Sequence, residues 1–189
     1  VQATPRRRHD NAAARRFHEE LTMTPPVPDR DHVAAITTRG EFQDAIRRSL
    51  AWAASVGSPE IFLFDADFAD WPLGERAVIE SLSSWAHSRR RLTLMAYSFD
   101  SLASRQTRFV EWRRQWAHVM QCRHDAELEA EQIPALLLVP GLVSVQLVDR
   151  IHYRGTHSSR AIDEVTCRER IDALLQRSTE AFPATTLGL

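Results

Sequence analysis

Apolar residues recur at helical spacing in several stretches of the chain and form short unbroken or β-branched runs between them. That alternation predicts an α/β domain. Residues 33–37, Val-Ala-Ala-Ile-Thr, predict a short edge strand. Over 41–54, Phe42, Ile46, Leu50 and Ala53 share one helical face, and Gly57 and Pro59 end the helix. Ile61-Phe62-Leu63-Phe64 is apolar without interruption, the mark of a central strand covered on both faces. Ala77, Val78, Leu82 and Trp85 predict a second helix over 74–87, and residues 92–97 the next strand. Phe109, Trp112 and Trp116 predict a third helix over 101–116, followed by a strand at 119–123. Strand, helix, strand, helix, strand is the order of crossover connections in a parallel sheet.

Beyond residue 124 the pattern changes. Residues 125–132 read as an acidic loop or short helix. Residues 136–139, 143–148 and 151–154 read as strands joined by tight turns. Ile171, Leu174 and Leu175 mark the buried face of a last helix over 164–180. The expected fold is a mixed, largely parallel sheet flanked by helices. Residues 1–30 carry Arg6, Arg7 and Arg8, an alanine-rich stretch, and Pro25, Pro26 and Pro28. With no sustained apolar face they are expected to be a disordered basic and proline-rich tail. Residues 31–182 are expected to form one domain, and residues 183–189 a frayed end.

Charge and composition narrow the chemistry. The formal net charge is -1, so no overall field draws the chain to nucleic acid or an anionic membrane. The apolar runs fall far short of the ~20 residues of a membrane span, and no apolar leader segment is visible. Cys122 and Cys167 lie in no C-x-x-C pair and are expected to be reduced thiols, which points to a cytoplasmic protein. All 24 basic residues are arginine. No lysine can serve as a Schiff-base former, a phosphate clamp or a general base. No cofactor motif is present, and none is expected.

Four groups of residues are candidates for chemistry. Asp65-Ala66-Asp67, with Asp70 nearby, follows the most buried predicted strand, where α/β sheets usually place their sites. Two such aspartates can hold Mg²⁺, and Asp65 can act as a nucleophile. The segment resembles the first motif of haloacid-dehalogenase-like phosphatases, although no downstream acidic pair follows; the alternative is a loop whose aspartates cap a turn. Cys122 with His118 and His124 has zinc-ligand residue types but no evident fourth ligand, and no metal is expected there. Between Arg89 and His124 eight arginines face only Asp100 and Glu111, a local charge of +6, with Trp112 and Trp116 interleaved. Such a surface suits phosphates. Residues 31–80 carry a local charge of -5, so the two regions are expected to neutralise one another within the fold or across a homodimer.

The fourth candidate is the stretch 142–156, Leu-Val-Ser-Val-Gln-Leu-Val-Asp-Arg-Ile-His-Tyr-Arg-Gly-Thr. Its strand–turn–strand pattern, with Asp149 and the later Gly155-Thr156, resembles the catalytic hairpin of the phospholipase-D-like superfamily. The preceding β-α-β-α-β order is similar to one half of that fold. Active members carry His-x-Lys-x4-Asp there. Aligning the aspartate on Asp149 puts Leu142 at the histidine and Ser144 at the lysine. The chain is thus similar to small bacterial domains with the same degenerate hairpin.

The resemblance implies a non-catalytic binding or scaffold half domain that pairs with a second copy. Asp149, His152, Arg154, Thr156 and His157 are its candidate polar, anion-binding residues. A Mg²⁺-dependent phosphoester hydrolase using Asp65 and Asp67, and a nucleic-acid-binding accessory protein using the arginines from Arg89 to Arg123, are the alternatives.

Overall fold

The computed structural model describes residues 26–87 and 89–183. Residues 1–25 of the expected tail and 184–189 of the expected frayed end lie outside them. Asp29, within the expected tail, accepts a hydrogen bond from Ser159 Oγ at 2.5 Å. Strands β1 (Val33–Ile36), β2 (Glu60–Phe64), β3 (Arg91–Met95), β4 (Met120–His124), β5 (Ala135–Val139), β6 (Val143–Asp149), β7 (Arg154–Ser158) and β8 (Thr179–Glu180) form one sheet. Their order is β1-β7-β6-β5-β2-β3-β4-β8. The helices are α1 (Arg39–Val56), α2 (Arg76–Trp85), α3 (Asp100–Arg105), α4 (Thr107–Gln115) and α5 (Ala161–Arg177). None of those described is long and apolar enough to cross a membrane.

The α/β class holds, but the sheet is mixed and mostly antiparallel rather than largely parallel. Among the described strands only β2–β3 and β3–β4 pair in parallel. After β4 the chain returns to the free edge of β2, where β5 pairs antiparallel with it, and two hairpins add β6 and β7. β1 then closes antiparallel on β7. A helix between two strands implies a parallel pair only when those strands are neighbours; α1 joins β1 to β2 across three intervening strands.

The central strand expected at residues 61–64 lies between β5 and β3 with both faces covered. Period-two alternation sorts its side chains. Ile61 and Leu63 enter the larger core beneath α1, α2, α3 and α4. Phe62 and Phe64 enter a smaller core beneath α5, with Met95, Leu138, Cys167 and Ile171. Helix α1 starts where the Thr-x-x-Glu signature places it. Thr38 Oγ1 accepts from Glu41 N at 3.2 Å, while Glu41 Oε2 accepts from the Thr38 amide at 3.2 Å. Gly57, at φ +70°, ends the helix.

Three local boundaries differ from the pattern. The helix expected over 101–116 breaks at Gln106. There the side-chain Nε2 donates to Trp71 O at 2.7 Å and Oε1 accepts from Gly74 N at 2.6 Å. The strand expected at 151–154 starts at Arg154, because Asp149 turns the backbone over residues 150–153. The last helix runs over Ala161–Arg177, and a two-residue strand that the apolar pattern does not signal follows it.

Of the basic stretch, Arg123 Nε donates to Ser178 Oγ at 3.0 Å and Arg113 donates to the Phe182 carbonyl. Both pin the C-terminal segment to the fold. Trp112 is buried in the larger core and Trp116 packs against it.

Gly155 sits at a register irregularity between β6 and β7. A Cβ there would lie 2.0 Å from Gln146 O and 2.8 Å from Leu147 Cα. Both are backbone atoms that no rotamer change can move. Gly155→Ala is therefore expected to destabilise the domain by about 3 kcal/mol or more in urea unfolding, the range of overpacking lesions that shift backbone.

Candidate functional site

Asp65 follows the last residue of β2 and is buried. Its Oδ1 accepts from the amides of Asp67 and Phe68, both at 3.1 Å. This side-chain-to-backbone turn carries the chain across the end of the sheet. Phe68 completes the turn at φ +57°, a left-handed conformation unusual for a bulky residue. Asp67 uses Oδ1 to accept from Ala69 N at 3.0 Å and Oδ2 to accept from Ser101 Oγ at 3.2 Å. Asp70 is shared between Arg39 and Tyr153: its Oδ1 is 2.9 Å from Arg39 Nη2, and its Oδ2 accepts from the Tyr153 hydroxyl at 2.8 Å.

Tyr153 belongs to the tip of the β6–β7 hairpin, which the sheet order brings over the C-terminal end of β2. The same tip supplies Arg150. Its Nη2 donates to Ile133 O at 2.5 Å and stands 3.6 Å from Asp65 Oδ2. Tyr153 is held at φ +51°, so both segments facing each other across this site carry a residue in left-handed backbone, a form of strain that collects at ligand clamps. Between them lies a cavity of about 70 Å³, walled by Asp65, Asp70, Trp71, Arg150 and Tyr153. Trp71 is buried, and its indole acts on the Asp65 carboxyl. Phe42 and Phe68 meet its ring edge-on, at 5.4 and 5.2 Å between centroids.

Burial pushes the Asp65 carboxyl above the ordinary aspartate range. The Arg150 guanidinium, the Asp67 and Phe68 amides and the Trp71 indole pull the other way without cancelling it. Burial and the hydrogen bond to Asp70 likewise raise the Tyr153 phenol. The site is therefore a small pocket that brings together a buried acid, a guanidinium, a phenol and an indole. The oxygens of Asp65, Asp67 and Asp70 that would face a cation are already engaged by amides, hydroxyls or arginines. Among the described residues no three His, Cys, Asp or Glu side chains are grouped to hold a metal ion. His124 Nδ1 lies 3.2 Å from Ala96 O, and Cys122 is buried.

The fold divides the hairpin candidates. Asp149 Oδ1 accepts from the amides of Ile151 and His152 at 3.0 and 3.1 Å, and His152 Nδ1 is 2.8 Å from Asp149 Oδ2. Those bonds, with His152 first, hold the Asp149 carboxyl below its usual range. Arg154 is in register with Asp149. Thr156 and His157 are consecutive in a strand, so they point to opposite faces. Thr156 is exposed, while His157 is buried and stacked on Trp52 at 5.4 Å. The five residues therefore do not line one cleft. Sequence reasoning missed Arg150, Tyr153 and Trp71, which the fold places around Asp65. The signal pointing to them is topological: the Asp-rich loop and the hairpin turn end on the same edge of the sheet once β5 runs antiparallel to β2.

Two predictions follow from these environments. Asp65→Asn keeps an oxygen for the Asp67 and Phe68 amides and removes a buried charge, so urea unfolding at pH 7 should show stability at least equal to the native chain. Arg150→Gln leaves that carboxyl without its facing guanidinium and should cost about 2 kcal/mol; a double-mutant cycle should show most of this cost vanishing when Asp65 is Asn. Separately, burial, Arg48 and His32 lower the His157 pKa to about 4, from an unfolded value near 6.5. The unfolded chain thus takes up this proton first. The stability that neutral His157 contributes is present above the unfolded value and is lost as pH falls toward about 4, on the order of 3 kcal/mol. His157→Gln should flatten that part of the stability–pH curve.

No protein-family model matches the sequence, and no curated protein matches it. Among solved structures the fold is similar to TrmBL2, described as an archaeal chromatin protein showing a novel mode of DNA binding. The TM-score is 0.59 at 11% identity, over 90% of this chain and 64% of that one. The chain thus spans less than two thirds of that relative, and the likeness is one of fold.

Proposed function

We propose that this chain is a non-catalytic, phospholipase-D-like binding module that engages a small polar ligand or partner group at the Asp65–Arg150 pocket. The observation that carries the reading is the meeting of the β6–β7 hairpin tip with the loop after β2. That meeting forms a small polar pocket walled by the buried Asp65 carboxyl, the Trp71 indole, Arg150 and Tyr153. The positions aligned with the superfamily's nucleophile and cation support the absence of catalysis. Leu142 packs against the larger core, and Ser144 is buried, donating to Ser158 O at 3.4 Å. Neither supplies a nucleophile or a positive charge to a phosphoryl group.

Two measurements test this. Purified full chain should give no turnover of bis-p-nitrophenyl phosphate, with or without Mg²⁺; turnover abolished in Asp65→Asn would replace the reading with the hydrolase alternative. In a thermal-shift screen of small polar metabolites, compounds that stabilise the native chain should lose their effect in Tyr153→Phe. Compounds that stabilise both equally would place binding elsewhere.

A second reading, binding to nucleic acid, is favoured by the likeness to TrmBL2 and by the turn before β3. There Glu60 is shared by Arg91 at 3.8 Å and Arg168 at 3.6 Å. Arg89 and Arg90 make no ion pair among the described residues, and they line an open cleft with Arg91. Anisotropy with a labelled duplex should then show binding that weakens steeply with salt and falls further in Arg89→Ala/Arg90→Ala. Binding indifferent to salt or to that double variant removes this reading.

A further inference from the structure

β7 lies three strand positions from β2, and a second cleft opens at that side of the sheet. Its volume is about 270 Å³, and Pro26, Pro28, His32, Ala34, Arg48, Trp52 and His157 line it. The polar members are all basic, and no carboxylate lines the wall. His157 reaches the cleft from β7, where it is the register partner of Ala34. His32 enters from the residue before β1, and its ring stands 6.3 Å from that of His157, edge to face. Arg48 and Trp52 are one turn apart on α1, so both project to the same side.

The arrangement has two defects of one kind. His157 Nε2 is buried and makes no hydrogen bond, a cost that native proteins seldom leave unmet. Arg48 makes no ion pair among the described residues, and its charge, like that of His32, bears on His157 without a compensating anion. Its neighbour on the same helix, Arg47, does find a carboxylate, Glu75 at 2.7 Å. One group relieves both defects: an anion that accepts from His157 Nε2–H and faces the Arg48 guanidinium. Two proline rings continue the wall as rigid apolar surface.

We infer that this cleft is a binding site for a small organic anion, its carboxylate or phosphate head held by Arg48, His32 and His157 and its apolar body lying along Pro26 and Pro28. The volume is near the lower end for ligand pockets, which suits a compact molecule. This site is separate from the Asp65–Arg150 pocket, and its fate does not bear on that one.

The test titrates the full chain with benzoate and, in a second arm, with phenyl phosphate, following the ring resonances of His157 and Trp52 by NMR. Saturable shifts of both resonances are expected with at least one probe, and the tighter arm tells which head group the site takes. Arg48→Gln should weaken binding about tenfold. His32→Gln, a change at an exposed residue, should weaken it as well and serves as the second variant should Arg48→Gln disturb α1. The absence of saturable shifts with both probes overturns the inference, as does binding unchanged in both variants.

Discussion

A carboxyl buried at the end of a central strand resists ionisation unless a cation faces it, and here that cation is carried by another part of the sheet. Asp65 ends β2, and Arg150 rides on the β6–β7 hairpin. The two meet because β5 is laid antiparallel against β2 and β6 against β5, so that β6 points the same way as β2 and delivers its turn to the same edge. Much of the local architecture serves this meeting. Gly155 lets β7 approach β6 past the irregularity below the turn. Gln106 breaks a helix to hold the backbone at Trp71 and Gly74, which fixes the far end of the loop that Asp65 begins. The left-handed residues, Phe68 and Tyr153, stand on either side of the resulting pocket.

The absence of lysine gives this fold a consistent style. Arginine reaches further, and its planar fork can serve two acceptors at once. Arg150 bridges Ile133 O and Asp65; Arg47 holds both oxygens of Glu75; Arg123 holds Ser178 through its hydroxyl and its carbonyl. Such contacts tie segments distant in sequence and account for several charges that look, along the chain, like a basic surface. Arg113 and Arg123 are structural ties. Arg89, Arg90 and Arg48 are arginines to which the fold gives no such acceptor among the described residues, and each lines a cleft.

The sequence pattern reads well where burial is decided locally. The unbroken run 61–64 is a central strand, and the helical faces of α1 and α2 bury the residues their spacing picks out. Reading fails where the outcome depends on which strands become neighbours. Crossover helices suggest a parallel sheet, but the three hairpin-linked strands take the free edge of β2 and separate it from β1. The same lesson governs the site. Asp65 and Asp67 are legible because carboxylates after a buried strand are chemically suggestive wherever they occur. Arg150 and Tyr153 lie in a turn among residues of similar polarity, and only the register of β5, β6 and β7 singles them out. Thr156 and His157 are neighbours along the chain, yet strand alternation sends them to opposite faces.

Taken together, the geometry describes a scaffold that places a small, strained, polar pocket at one edge and arms it with an acid whose ionisation depends on a neighbouring hairpin. The most direct test of that dependence is the titration of the Asp65 carboxyl itself, followed by ¹³C NMR in the native chain and in Arg150→Gln. The account predicts a midpoint above the ordinary aspartate value of about 3.9 in the native chain, and a further rise when Arg150 is lost. A midpoint at or below that value, unmoved by Arg150→Gln, would contradict it.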